Sequence, residues 1–196
     1  MQGYAYLGCI YCKLKVMDHA VVIHGMGGRS NQAWYPWVEA QLAERGFNVT
    51  PPNLPYPDDP HLSEWLPEVT ECIGLQPERT LAVAHGLGCI TLLHYVAKLP
   101  SARQLGGAVL VAGALHDTDP TVATFYCDPP HFDWLTSRFG RPPELIYAAG
   151  DTAAPLCQGK QLAGELEGKL TILSCMDMLQ QPELPAIMRA VDRLCS

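Results

Sequence analysis

The sequence predicts an α/β fold built on a doubly wound, mainly parallel sheet of six strands. Short, continuous apolar runs alternate along the chain with longer segments in which apolar residues recur three and four positions apart. Continuous apolar runs are typical of parallel strands that are covered on both faces. Glycine-rich loops follow several of these runs, and ligand sites of such sheets lie at the carboxyl ends of the strands.

Six apolar runs are the predicted strands. They are rich in Val, Ile, Leu and Ala, and they lie near 19–24, 47–50, 79–85, 107–113, 144–149 and 169–174. Because helical segments separate them, right-handed crossovers would place the strands side by side in parallel.

Helical spacing marks the segments between the runs. The predicted helices lie within 31–46, 61–73, 88–98, 131–138, 158–167 and 183–195. In the second of them Leu62, Trp65 and Val69 fall on one stripe, which predicts a face turned to the core. Gly46 is expected to end the first of these helices.

Composition limits the functions that the chain could have. Of its 196 residues 48% are hydrophobic and 17% charged, against a usual charged share of about 25%, which excludes disorder as the main state. The net charge of −7 argues against nucleic acid as a partner. No apolar run reaches the roughly 18 residues of a membrane-spanning helix. We expect one domain over residues 17–196, preceded by an extension over residues 1–16.

The eight cysteines are scattered, and only Cys9 and Cys12 are paired by their spacing. A zinc site usually needs two such pairs or nearby histidines, so the sequence predicts neither a metal nor a cofactor. We interpret the cysteines as reduced thiols of a cytoplasmic protein. The oligomeric state is left open.

A sharp turn is predicted after the third strand. The segment Ala84-His85-Gly86-Leu87-Gly88 lies between a strand and a helix, the context of the G-x-S-x-G nucleophile elbow. Gly86 stands where that pattern has its serine. A glycine there would adopt a positive φ without the usual Cβ penalty.

Two further loops resemble parts of the same kind of site. His24-Gly25-Met26-Gly27-Gly28 resembles the H-G-x-G oxyanion loop, whose backbone N–H groups near Met26, with that of Leu87, could hold a developing oxyanion. The segment Gly150 to Pro155 resembles the one that carries the acid of a hydrolase triad. Gly25 is expected to belong to the pocket, and Trp34 to the pocket wall or the core.

Together these segments resemble the small serine hydrolases related to retinoblastoma-binding protein 9 and the bacterial YdeN proteins. The resemblance runs from about Met17 to the C-terminus. Besides the loops above, it rests on GGRSNQAWYPWV over 27–38, Asn53-Leu54-Pro55, Trp65-Leu66-Pro67, Val109-Leu110-Val111, Phe125-Tyr126 and Phe132-Asp133-Trp134. It implies an α/β-hydrolase fold with the strand order 2-1-3-4-5-6.

The family resemblance also implies a Ser-His-Asp triad. Gly86 takes the position of the nucleophile, Asp151 that of the acid, and Asp177 that of the histidine. We expect Asp151 and Asp177 to face each other across the strand ends.

Other residues could take part in chemistry. His116 could act as an acid or base near the pocket. His24 and His85 are expected at the oxyanion loop and pocket as packing residues of the loop and turn, and Cys89 is interpreted as a core thiol rather than a nucleophile.

Three functions follow from this interpretation. The leading one is a pseudohydrolase that binds a small acyl or carbonyl compound or a protein partner. The second is a repurposed non-hydrolytic enzyme, a cyclase, lyase or isomerase, with acid-base residues in the old pocket. The third is an esterase with an engineered or relocated nucleophile.

Overall fold

The computed structural model describes residues 17–117 and 119–196. The extension predicted for residues 1–16, and with it Cys9 and Cys12, lies outside the described residues. The division into an extension and one domain stays a prediction.

Six parallel strands form one sheet in the order β2-β1-β3-β4-β5-β6, which confirms the predicted order. The strands are β1 (His19–Ile23), β2 (Asn48–Val49), β3 (Thr80–His85), β4 (Gly107–Val111), β5 (Glu144–Ala148) and β6 (Lys169–Leu173). Each corresponds to one of the predicted apolar runs. The central strands are buried along almost their whole length, whereas the edge strand β6 leaves Ile172 half exposed.

Helices lie between the strands. They are α1 (Tyr35–Glu44), α2 (Leu62–Ile73), α3 (Leu87–Lys98), α4 (Ala123–Tyr126), α5 (Leu156–Glu165) and α6 (Pro185–Cys195). The predicted stripe of α2 is buried at Trp65 and Val69, because this face packs on the core. No helix of the described residues is long and apolar enough to cross a membrane.

The helix predicted over 131–138 is wrong. That stretch forms two short 3-10 turns, Phe132–Trp134 and Thr136–Arg138. Within it only Leu135 is fully buried, while Trp134 keeps 38% of its surface exposed. One buried anchor in so short a stretch does not hold a continuous helix, since most helical stability comes from an apolar face that packs.

The close contact of α3 with β1 positions the functional end of the sheet. A Cβ at Gly88 would lie 2.8 Å from the carbonyl oxygen of His24 and 2.8 Å from Cγ2 of Ile23. The absence of a side chain therefore lets the first turn of α3 approach the end of β1. The two loops that follow β1 and β3 meet there.

Candidate active site

The turn between β3 and α3 has the predicted shape. Gly86 is the single residue between the two elements, with φ +53° and ψ −121°. Its N–H donates to the carbonyl oxygen of Val111 at 3.0 Å, which ties the turn to the end of β4. The expectation of a positive φ at Gly86 is confirmed. Residues with a side chain rarely adopt this conformation.

A cavity of about 230 Å³ opens at this turn, at the carboxyl ends of the strands. It brings together six of the residues predicted for the site: Gly25, Met26, His85, Gly86, Leu87 and Asp151. Asp117, Asp119 and Tyr126 line it too, and the sequence reasoning did not select them. Their position could have indicated them, because they lie beyond the carboxyl end of β4. A cavity of about 240 Å³ at the opposite edge, lined by Met17, Gly106 and Gly140, contains none of the predicted residues.

Among the backbone N–H groups of the cavity-lining residues that have no hydrogen-bond partner within the described residues, two lie on the segments that directly follow β1 and β3. One belongs to Leu87, the first residue of α3, because the first N–H groups of a helix lack a partner within it. The other belongs to Met26. The neighbouring loop residues use their N–H groups differently: Gly25 donates to Tyr35 Oη, Gly27 to the oxygen of Pro57, and Gly28 to the oxygen of Gly25.

His85 lines the cavity as an uncharged imidazole. Burial lowers its pKa to about 4, and the negative charge of Asp151 only partly counters this effect. Its Nδ1 lies 2.7 Å from Tyr35 Oη, and its ring meets that of Trp34 edge-on with 5.6 Å between centroids. The other ring nitrogen, Nε2, has no hydrogen-bond partner in the described part of the chain.

Asp151 brings a carboxylate to the same cavity. It follows β5, and its Oδ1 accepts hydrogen bonds from the N–H groups of Ala153 and Ala154 at 2.9 and 3.0 Å. These two bonds hold the side chain in one place and leave Oδ2 for other partners. Asp119 is held in a similar way by Thr121, whose hydrogen bonds keep the pKa of this carboxyl low.

Two predicted site residues lie behind the cavity rather than on its lining. Trp34 is fully buried and packs on Tyr35 and His85, so of its two expected places, the core and the pocket wall, it takes the core. A large indole gains more from the core beneath the turn than from an open surface. His24 is buried beneath its loop, where Nδ1 donates to the oxygen of Gly25 at 2.9 Å.

Two more of the predicted site residues, His116 and Asp177, lie outside the cavity. His116 is exposed and borders an adjoining depression with Asp117 and Gln158. Asp177 is exposed in the 3-10 turn Met176–Gln180 and does not line the cavity, so the cavity does not bring it together with Asp151. β6 is an edge strand of the sheet, and residues 174–177, which follow it, are exposed.

Cys89 is a core thiol, as expected. It is 1% exposed, and its Sγ donates to the carbonyl oxygen of Ala84 at 3.2 Å. Burial raises the pKa of the thiol to about 12, which keeps it protonated and unreactive near neutral pH. The described residues contain no group of three or more His, Cys, Asp or Glu residues that could hold a metal ion.

The family model of the serine hydrolases matches residues 20–176, and the chain belongs to this family. Its relationship to retinoblastoma-binding protein 9 stays a prediction.

Individual relatives agree with this assignment. YdeN of Bacillus subtilis (strain 168), a hydrolase by name, is 36% identical over 92 residues. The match covers 47% of this chain, and the chain spans about half, 48%, of the length of that relative. The crystal structure of the ydeN gene product from B. subtilis superposes with a TM-score of 0.82 at 24% identity, over 90% of this chain and 98% of that one. Est1E from Butyrivibrio proteoclasticus gives 0.67 at 14% identity, over 91% and 87%. The two structures show the shared α/β-hydrolase fold.

The leading interpretation of the sequence, a pseudohydrolase, is wrong. The chain belongs to a family of serine hydrolases, and the curated relative is named as a hydrolase. These findings point to hydrolase function. The same findings count against the second interpretation, a non-hydrolytic cyclase, lyase or isomerase. The interpretation gave too much weight to two side chains, although an oxyanion is held by backbone N–H groups that no side-chain replacement removes.

Proposed function

We propose that this protein is a hydrolase of small acyl compounds, in particular esters, with its active site in the cavity at the β3–α3 turn. One observation carries the proposal: the unpartnered N–H groups of Met26 and Leu87 line the same cavity as the carboxylate of Asp151. Membership of the serine hydrolases supports it. The volume of about 230 Å³ lies below the roughly 300–1,000 Å³ of pockets for drug-sized ligands, which favours a small substrate.

The position of Gly86 decides which group attacks the substrate. The family resemblance gives Gly86 the position of the nucleophile, Asp151 that of the acid and Asp177 that of the histidine. Gly86 has no side chain that could attack. A Cβ built on it would meet only Cα of Gly25 within 4 Å, at 3.6 Å, so the space beside it can hold a water molecule.

Water is therefore the nucleophile in the proposed reaction. Asp151 accepts a proton from this water as the water oxygen forms a bond to the acyl carbon. The carbonyl oxygen becomes an oxyanion, which the N–H groups of Met26 and Leu87 stabilise. The bond to the leaving alcohol then breaks, and the alcohol takes the proton from Asp151. The products are a carboxylic acid and an alcohol, and no covalent intermediate forms.

The test is hydrolysis of short-chain p-nitrophenyl esters by the wild-type protein and by Asp151→Asn. We expect the substitution to lower kcat/KM by about 10²–10⁴, the usual contribution of a general base. Asp133→Asn is the matched control, because Asp133 is exposed and does not line the cavity. Its activity should equal that of the wild type.

Two further measurements separate the water route from a covalent one. We expect no labelling by a fluorophosphonate probe and no burst of p-nitrophenol, because neither can occur without a nucleophilic side chain. An acyl-protein adduct in the intact mass would show that a relocated nucleophile acts instead. No hydrolysis by the wild type, or full activity of Asp151→Asn, would contradict the proposal.

Two further parts of the proposal concern the ligand and the location of the protein. The ligand is a small molecule rather than a protein, and three carboxylates on the cavity lining, those of Asp117, Asp119 and Asp151, disfavour anionic substrates. A cytoplasmic location is proposed from the scattered cysteines.

A further inference from the structure

We propose that Tyr35 is a positioning residue of this site: its hydroxyl fixes the tautomer of His85 and holds the Gly25 N–H away from the cavity. The inference rests on the proposed function, because the turn and the loop that Tyr35 joins carry the two proposed oxyanion donors. Tyr35 is the first residue of α1 and does not line the cavity itself.

The hydroxyl of Tyr35 joins the two loops directly. It accepts a hydrogen bond from the N–H of Gly25 at 3.4 Å, and it lies 2.7 Å from Nδ1 of His85. Gly25 belongs to the loop after β1, and His85 ends β3. These elements are neighbours in the sheet, and the hydroxyl bridges them just beneath the cavity.

The direction of the second hydrogen bond follows from the environment of the hydroxyl. Tyr35 is 4% exposed, and burial raises its pKa to about 12, so the phenol keeps its proton. Nδ1 of His85 is the one acceptor within hydrogen-bond distance of this proton among the described residues. A buried hydroxyl that donates to nothing is destabilising by about 1–3 kcal/mol, so the O–H donates to Nδ1.

His85 is consequently fixed as the Nε2–H tautomer. An uncharged imidazole that accepts at Nδ1 must carry its proton at Nε2. Since Nε2 has no partner among the described residues and the ring lines the cavity, His85 presents a neutral donor beside Asp151. Such a donor can orient the attacking water or the substrate without competing with Asp151 for a proton.

The same hydroxyl takes up one N–H of the loop after β1. Gly25 donates to Tyr35, whereas the next N–H along the loop, that of Met26, has no partner among the described residues. Ring packing keeps the hydroxyl in place: the Tyr35 ring lies 4.5 Å from that of Trp34 and 6.4 Å from that of His24, measured between centroids.

The test compares Tyr35→Phe with the wild type and with Tyr56→Phe. Tyr56 is 66% exposed and makes no hydrogen bond through its hydroxyl among the described residues, so its variant controls for the loss of a phenol. The ¹⁵N shifts of the imidazoles, assigned with His85→Gln, report the tautomer at pH 7. We expect pure Nε2–H for His85 in the wild type and in Tyr56→Phe, and a mixture of tautomers in Tyr35→Phe.

Amide exchange and kinetics complete the test. In Tyr35→Phe the Gly25 amide should exchange faster, and kcat for ester hydrolysis should fall roughly three- to tenfold with KM within twofold, because one hydrogen bond is lost and the cavity lining is unchanged. An Nδ1–H tautomer in the wild type, an unchanged tautomer in Tyr35→Phe, or a rise in KM alone would overturn the inference. The NMR results do not depend on turnover, so an inactive wild type would contradict the proposed function without deciding the role of Tyr35.

Discussion

Adding a methyl group at Gly86 should destabilise the protein although the methyl group has room. In Gly86→Ala the new Cβ would lie 3.6 Å from Cα of Gly25, an ordinary van der Waals contact, and would meet nothing else within 4 Å. The penalty therefore comes from the backbone, whose φ of +53° and ψ of −121° are unfavourable for a residue with a side chain. Such conformations are destabilising by about 1–3 kcal/mol. For a chain of 196 residues this lowers Tm by roughly 2–12 °C.

The assay is thermal unfolding followed by circular dichroism, with Gly164→Ala as the matched control. Gly164 is exposed in α5, and its Cβ would also meet nothing within 4 Å, but its φ is not positive. Alanine in a helix is favoured over glycine by about 0.5–1 kcal/mol, so this variant should melt slightly higher than the wild type. If Gly86→Ala melts at or above the wild-type temperature while Gly164→Ala behaves as expected, the strain argument is refuted.

Two further predictions concern stability. Burial lowers the pKa of His85 to about 4, so below about pH 6.5 this histidine binds a proton in the unfolded chain but not in the folded one. The free energy of unfolding should therefore decrease as the pH falls from about 6.5 to about 4. Urea titrations should show a smaller decrease for His85→Asn, and an equal decrease would contradict this. Arg193→Met should lower the free energy of unfolding, measured in urea at pH 7, by about 3 kcal/mol. The substitution leaves the carboxylate of Glu144, which is only 6% exposed, without its guanidinium partner. The guanidinium is 35% exposed, which places the expected loss at the lower end for buried pairs, and an unchanged midpoint would count against it.

The sheet could be predicted because its strands differ from their surroundings in composition alone. Residues 107–111 are continuously apolar and are buried along the whole of β4, which is the pattern of a central parallel strand. The stretch over 131–138 shows the limit. Its apolar residues have helical spacing, yet only Leu135 reaches the core, and spacing does not reveal whether another element lies close enough to bury a face.

The site could be predicted where backbone position decides the role of a residue. Gly86 and Leu87 follow from the strand-to-helix turn itself, whatever their side chains are. Trp34 and Asp177 were placed by their neighbours in the sequence, but one side chain turns into the core and the other to solvent. The direction of a loop side chain depends on what packs against it. For the same reason Tyr35, whose hydroxyl meets His85 from another element, gave no signal in the sequence.

The geometry that matters most for the proposed chemistry is independent of the residue at position 86. The N–H of Leu87 is available because α3 begins there, and α3 lies against β1 because Gly88 has no side chain to separate them. The N–H of Met26 has no partner among the described residues, whereas the N–H groups on either side of it donate to Tyr35 and Pro57. If position 86 is the nucleophile position that the family resemblance implies, a glycine there provides no attacking group, and the proposed oxyanion donors stay in place. An active site of this kind loses its covalent intermediate before it loses the means to stabilise an oxyanion, and for that reason a glycine at the position that the resemblance gives to the nucleophile is a weak argument against hydrolysis.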